Sequence, residues 1–241
     1  MDVATFTSDR QFRNPTRQLR SILAPLEKRC LVWMAERLPG WINSDHLTVL
    51  ALAAMAGAGA SYAFARVTPF ALLAVVVFLA VNWFGDSLDG TLARVRRCER
   101  PRYGFYVDHV VDLLGTAFLL AGLGASGYMS PFVAFAVFSG YLLVCSEVYL
   151  RTCSMGTFRM SFLMVGPTEL RILLAIGTLA AMVHPNAVLF GRAFLLFDVS
   201  GVIAAAALAI TFLGSTWAGT KELYQAERLG ARGAEPPHQL S

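Results

Sequence analysis

Six long apolar runs limit what this 241-residue chain can fold into: Leu47–Ala65, Pro69–Gly85, Tyr106–Leu123, Pro131–Leu150, Leu170–Val183 and Leu195–Leu213. A helix needs about 20 apolar residues to cross a bilayer, and the fifth run is the shortest of the six. Lipid has no water to satisfy an open strand edge, so the runs are expected as helices. They are too uniformly apolar for the alternation of a membrane barrel. Hydrophobic residues make up 56% of the chain and charged residues 15%, against roughly 25% charged in a soluble domain. With a mean hydropathy of +0.56, these figures exclude a disordered chain, a collagen and a disulfide scaffold. The expected fold is an all-α, polytopic membrane protein with six transmembrane helices.

The cations divide cleanly on that topology. All of the 20 Lys and Arg residues except Arg66 and Arg192 fall in the N-terminus, in or at the edges of the second and fourth loops, and in the C-terminus. The positive-inside rule then makes both termini cytoplasmic. The net charge of +4 is thus a membrane signature, and no nucleic-acid partner is expected. Leu19, Ile22, Leu23, Leu26, Cys30, Trp33 and Met34 recur at helical spacing, with Arg17, Arg20, Lys28 and Arg29 between them. This predicts a basic amphipathic helix, either in the anionic lipid interface or packed on the protein's own cytoplasmic face, with Pro25 kinking it or starting a second piece. The expected organisation is a cytoplasmic N-terminal segment over 1–46, a six-helix membrane domain over 47–213 and a cytoplasmic tail over 214–241. Met1–Phe12 lacks the apolar run of a signal peptide. Cys30, Cys98, Cys145 and Cys153 have no metal or disulfide spacing and read as apolar fillers or free thiols.

Acidic residues inside such spans are expensive and usually functional. Asp86, Asp89, Asp108, Asp112, Glu147 and Asp198 lie within or at the edges of the runs, and four of them crowd into 27 residues. On helices, Asp86 and Asp89 (i, i+3) share one face and Asp108 and Asp112 (i, i+4) share another. The short loop between them turns the third span antiparallel to the second, so both pairs meet at the cytoplasmic end. Two charges 4 Å apart repel by about 4 kcal/mol at an effective dielectric near 20. Four carboxylates must therefore protonate, line a proton path or bind cations. Two divalent ions would cancel the charge, and a hard oxygen donor set favours Mg²⁺, Mn²⁺ or Ca²⁺ over zinc. Such a two-metal site can clamp a phosphoryl group during in-line displacement. Gly90, Ala93 and Gly104 leave room for a ligand near the backbone, and Arg94 can pair with phosphate. Taken singly, the small residues suit helix packing and Arg94 suits an interfacial anchor.

The string Asp86-x-x-Asp89-Gly90-x-x-Ala93-Arg94, nine residues, then Gly104-x-x-x-Asp108-x-x-x-Asp112 resembles the signature of the CDP-alcohol phosphatidyltransferase family, and every fixed position matches. Asp45-His-Leu-Thr48 also resembles the start of the family's first span, though it departs from the Pro-Asn form of several subfamilies. The resemblance implies a CDP-linked donor whose pyrophosphate lies on metal ions held by Asp86, Asp89, Asp108 and Asp112. An acceptor hydroxyl attacks the phosphorus not attached to cytidine, and CMP leaves. It further implies Asp112 as general base, Asp108 as mainly a metal ligand, Gly90 and Ala93 beside the cytidine part of the donor, and a homodimer. The expected cofactor is Mg²⁺ or Mn²⁺, as two ions. The expected partners are a CDP-linked lipid or alcohol donor, an alcohol acceptor and membrane lipids.

The favoured donor is CDP-diacylglycerol with a small polar alcohol; the alternative within the class is a CDP-amino alcohol with diacylglycerol as acceptor. A transporter that relays ions through its aspartates, or a non-catalytic relative, are the readings outside it. Leu88-Asp89-Gly-Thr-Leu92 looks like the start of a haloacid dehalogenase-type phosphatase, but the nucleophile's place there is taken by Ser87. Arg151 and Arg159, with Glu147, Glu169 and Arg171 nearby, form either a second phosphate site, for a lipid head group or a phosphorylated acceptor, or a salt-bridged anchor. Asp198 is expected as an interfacial or helix-pairing group and His109 as a packing or interfacial residue rather than a ligand. His46 borders the membrane and is assigned no role in the site. The protein is expected in the plasma or inner membrane if bacterial, with its active site facing the cytoplasm.

Overall fold

The computed structural model describes residues 24–155, 167–189 and 191–232. Seven helices are described: α1 (Ala24–Arg37), α2 (Ser44–Phe64), α3 (Ala71–Val95), α4 (Pro101–Ala125), α5 (Pro131–Met155), α6 (Pro167–Val183) and α7 (Leu196–Arg232). Five of them are long and apolar enough to cross a membrane: α2, α3, α4, α5 and the Leu196–Glu227 stretch of α7. α6 occupies the place of the fifth expected span, but its 17 residues rise only about 26 Å at 1.5 Å each. The chain is therefore an integral membrane protein of mainly helical fold.

Successive helices run back and forth, so one end of the bundle gathers the first turns of α2, α4 and α6 and the last turns of α3 and α5. α2 is the central element, packed on both α3 and α4. Its approach to α4 is backbone to backbone. A Cβ on Gly122 would overlap the Gly59 carbonyl, and one on Gly59 would overlap the Phe118 carbonyl. α3 comes almost as close, because a Cβ on Gly85 would lie 2.7 Å from the Leu47 oxygen. Gly140 faces Leu208 of α7, and Gly201 of α7 faces Val133. Small residues of the third, fourth and sixth expected spans are thus used within the chain. At the far end, the buried Tyr62 and Thr178 hydroxyls meet at 2.6 Å and join α2 to α6.

α2 starts on a reciprocal cap. Asn43 Oδ1 accepts from the His46 amide at 3.1 Å, and the Asn43 amide donates to His46 Nδ1 at 3.3 Å, with His in the role usually taken by Glu or Gln. α1 lies on α3 through Leu31, Met34 and Ala35, joined by Leu38 just beyond its end, packed with Leu88 and Leu92. The amphipathic stripe is rotated from the expected one: Cys30 and Trp33 face outward, with the Arg37 guanidinium 4.2 Å above the Trp33 ring. Pro25 falls in the first described turn, where a missing amide costs no helical bond. Arg17, Leu19, Arg20, Ile22 and Leu23 lie outside the described residues.

Two departures, one from the all-α expectation and one from the expected tail boundary, have local causes. Between α6 and α7, β1 (Asn186–Leu189) pairs antiparallel with β2 (Arg192–Leu195). Gly191 sits at φ +75° in the connection, a conformation glycine adopts without steric cost. α7 also continues past Leu213 to Arg232. Ala218, Lys221, Glu222, Leu223 and Gln225 are good helix formers, and no proline intervenes. The four cysteines are free thiols, with Cys145 buried.

The close α2–α4 crossing makes a specific demand. Gly122→Ala should lower the stability of the detergent-solubilised protein by about 1–3 kcal/mol, as overpacking does. Gly214→Ala, where a Cβ meets nothing within 4 Å, should be neutral. Equal thermal midpoints for both variants would contradict the described crossing.

Candidate active site

The turn that joins α3 to α4 brings the acidic pairs together. Arg97 takes the left-handed conformation at φ 55°. The Cys98 amide bonds the Ala93 carbonyl at 3.0 Å, and the Arg97 amide bonds the Arg94 carbonyl at 3.1 Å. These are the two hydrogen bonds of a Schellman cap, built here on arginine rather than glycine. Arg96, read from sequence only as a positive-inside charge, bridges back to the α1–α2 link. Its guanidinium donates to Leu38 and Pro39 carbonyls at 3.0 Å each and also to the Ile42 carbonyl.

Asp86 of α3 and Asp108 and Asp112 of α4 offer carboxylate oxygens that all lie within 4.8 Å of one another. Such a set bears up to three negative charges in a small volume, which strongly favours a bound cation. Its all-oxygen chemistry fits a hard divalent ion. Asp89 is not among this set, and both its carboxylate oxygens are engaged elsewhere. Its Oδ2 accepts from Thr48 Oγ1 at 2.6 Å, its Oδ1 accepts from the Gly90 amide, and its carbonyl accepts from Ser44 Oγ. It nonetheless stays within electrostatic range of Asp86 and Asp108. The structure thus brings three of the four aspartates together and ties the fourth to α2.

Around the carboxylates, Arg94 folds back along its helix. Nη2 donates to Thr91 Oγ1 at 3.1 Å, and Nη1 would sit 3.5 Å from a Cβ on Gly90. Ala93 is half-buried, and its carbonyl closes the α3 cap. Gly104 faces open space, and Arg100 forms an ion pair with Asp45 across the rim. From α5, Tyr141, Cys145 and Tyr149 come within electrostatic reach of Asp112. The His109 ring lies 4.2 Å from Phe105 and 5.6 Å from Tyr149, between centroids.

Residues 41–213 match the sequence model of the CDP-alcohol phosphatidyltransferases. The chain belongs to the CDP-alcohol phosphatidyltransferase family. Among curated relatives, an archaetidylinositol phosphate synthase of Methanothermobacter thermautotrophicus (strain Delta H) is 26% identical over 162 residues, which span 67% of this chain and 78% of that protein. The protein is therefore a membrane-embedded enzyme, a phosphotransferase of phospholipid biosynthesis that takes a CDP-linked donor and an alcohol acceptor. Family membership sets aside the transporter reading. CDP-alcohol phosphatidyltransferases use divalent metals, and the hard-oxygen cluster of Asp86, Asp108 and Asp112 suits one.

Several contacts made by residues outside the motif emerge only from tertiary structure. Arg171, in the second turn of α6, donates from Nη2 to Asp86 Oδ2 at 2.6 Å and from Nε to Asn82 Oδ1 at 2.8 Å. Asn82 in turn donates to the buried Ala51 carbonyl at 3.0 Å. Glu27 of α1 receives two bonds on one oxygen, from Trp83 Nε1 at 2.9 Å and from Thr168 Oγ1 at 2.8 Å. It thereby links α3 to the first turn of α6. Arg151 pairs with Glu222 of α7 at 2.8 Å, and the buried Glu147 faces Gly219. Arg159 lies outside the described residues. Asp198 accepts from the Ser130 amide at 2.6 Å, pairing α7 with the start of α5.

Glu27→Ala should leave two partly buried donors unsatisfied and cost about 1–3 kcal/mol, while Glu27→Gln retains a carbonyl acceptor and should lose less than half as much. Thermal unfolding of the two variants checks this, and equal losses would show that the shared oxygen does not join α3 to α6.

Proposed function

We propose that the protein transfers a phosphatidyl group from CDP-diacylglycerol to the hydroxyl of a small polar alcohol and releases CMP. The observation that carries this reading is the convergence of the Asp86, Asp108 and Asp112 carboxylates within the full family signature. Asp86, Asp89, Asp108 and Asp112 would hold two ions, Mg²⁺ or Mn²⁺, and Asp89 would turn from Thr48 to do so. When bound, these ions neutralise the pyrophosphate and the charge that develops on it. Gly90, Ala93 and Gly104 leave backbone room for the nucleotide, and Arg94 swings from Thr91 to a phosphate oxygen. The acceptor oxygen forms a bond to the phosphorus remote from cytidine. The bridging P–O bond breaks, its electrons stay on CMP, and Asp112 takes the hydroxyl proton. A carboxylate beside cations remains ionised, so its efficiency as a base depends on position.

The name of the methanogen relative couples a lipid to an inositol phosphate, which favours a lipid-bearing donor and a polar acceptor over a CDP-amino alcohol donor. It also makes a phosphorylated alcohol a natural member of the acceptor class. Arg151 and Arg159 are the proposed basic residues for that second phosphate, with Arg151 leaving Glu222. The catalytic unit is residues 47–213, crossing the membrane six times with α6 as the short fifth span. Residues 1–46 and 214–241 and the active site face the cytoplasm, because in sequence all Lys and Arg but Arg66 and Arg192 belong to the termini and to the segments around the second and fourth loops. A homodimer is the expected assembly by family likeness.

Reconstituted protein with Mn²⁺ or Mg²⁺, CDP-diacylglycerol and a panel of alcohols that includes inositol phosphate should release CMP and form one anionic lipid, identified by mass spectrometry. EDTA should abolish turnover. Asp112→Asn should lower kcat by about 10²–10⁴-fold, as loss of a general base does. Metal-independent CMP release, or an Asp112→Asn enzyme at the normal rate, would refute the reading.

A further inference from the structure

Arg171 is placed where a carboxylate enzyme that binds cations would be expected to avoid a positive charge. Its guanidinium contacts the Asp86 carboxylate through Oδ2 at 2.6 Å, and Asp86 is one of the three groups whose oxygens gather within 4.8 Å. The contact is no loose surface pair, since the Arg171 and Asp86 side chains are 17% and 22% exposed. It is also anchored. Nε holds Asn82 Oδ1 at 2.8 Å, and Asn82 is fixed to the Ala51 carbonyl of α2. Asn82 and Asp86 stand one turn apart on α3, so the planar fork spans two residues on one helical face. The remaining nitrogen, Nη1, is buried and lacks a hydrogen-bond partner among the described residues. A buried donor left unmade is costly, so this pose is not the guanidinium's most satisfied one.

From these contacts we infer that Arg171 is an internal counter-ion of the carboxylate cluster, acting through Asp86. It compensates Asp86 while no divalent cation is bound and yields Oδ2 when one arrives. Two consequences follow from charge alone. Without metal, the guanidinium relieves repulsion among Asp86, Asp108 and Asp112 and ties α6 to α3. With metal, the same permanent charge opposes the incoming cation, so Arg171 weakens metal binding and keeps it reversible. Arg171 is thus a positioning residue that acts through Asp86. A purely structural arginine would support the fold without setting metal affinity in this direction. The inference rests on the metal reading of the cluster given above.

The test is titration of the full-length, detergent-solubilised protein with Mn²⁺ alone, followed by electron paramagnetic resonance, with no substrate present. Arg171→Gln keeps an amide donor for Asp86 but removes the charge, and should bind Mn²⁺ about fivefold more tightly or better. Arg171→Lys keeps the charge and should stay within about twofold of wild type, for the same electrostatic reason. Thermal unfolding provides a second readout: Arg171→Gln should melt lower than wild type in EDTA and gain more from added Mn²⁺. Unchanged or weaker Mn²⁺ binding by Arg171→Gln, while the wild type binds and Asp108→Asn does not, overturns the inference alone. A wild type that binds no Mn²⁺, or an Asp108→Asn variant that binds it normally, overturns the metal reading and the inference together.

Discussion

Carboxylates held close together at the end of an apolar bundle set the terms for everything around them. Their mutual repulsion amounts to several kcal/mol, and lipid on the outer faces of the helices offers no solvation to offset it. The surrounding structure acts to force the groups together and to compensate them. The arginine-built Schellman cap at Arg97 reverses the chain between the two acidic pairs. Backbone contacts at Gly59, Gly85 and Gly122 fix α3 and α4 against α2. Arg171, Thr48 and Ser44 then supply charge or hydrogen bonds to the acidic segment from α6 and α2. The site is as much a product of helix packing as of its motif.

This arrangement gives each neighbouring helix a distinct part. α3 and α4 contribute the carboxylates, and α2 orders Asp89. α6 contributes the one guanidinium seen on Asp86 among the described residues. α1 completes the connection, because a single Glu27 oxygen binds both Trp83, three residues before Asp86, and Thr168, three residues before Arg171. A phosphotransferase of phospholipid biosynthesis must bring an anionic CDP-linked substrate and a lipid to one site. The end of a helical bundle where aspartates meet a basic rim satisfies both demands, since the rim attracts anionic substrates and the helices remain in lipid.

The acidic quartet was legible in the sequence because i, i+3 and i, i+4 spacing is a local property that helix formation preserves. The division of labour within it was not. Asp89 is drawn to Thr48 by the register of α2 on α3, which Gly85 permits, and no pattern within either helix encodes that register. Arg171 was visible as a charge near the fifth span, yet its partner lies 85 residues earlier. Glu27 and Trp83 gave no signal at all. The β1–β2 hairpin was hidden because its apolar strand runs straight into α7, and the extension of α7 was hidden because exposed polar helix formers read as tail. The rotated stripe of α1 has a similar cause, since Leu31 and Ala35 acquire their meaning only from Leu88 and Leu92 on α3.

The central claim is that α3 and α4 together hold a divalent cation between Asp86, Asp108 and Asp112. Anomalous X-ray scattering from crystals grown with Mn²⁺ tests it most directly. The account predicts a strong anomalous peak at the α3–α4 end of the bundle, bonded to oxygens of all three aspartates. Manganese elsewhere, or none within bonding distance of Asp86 and Asp108 at once, would contradict it.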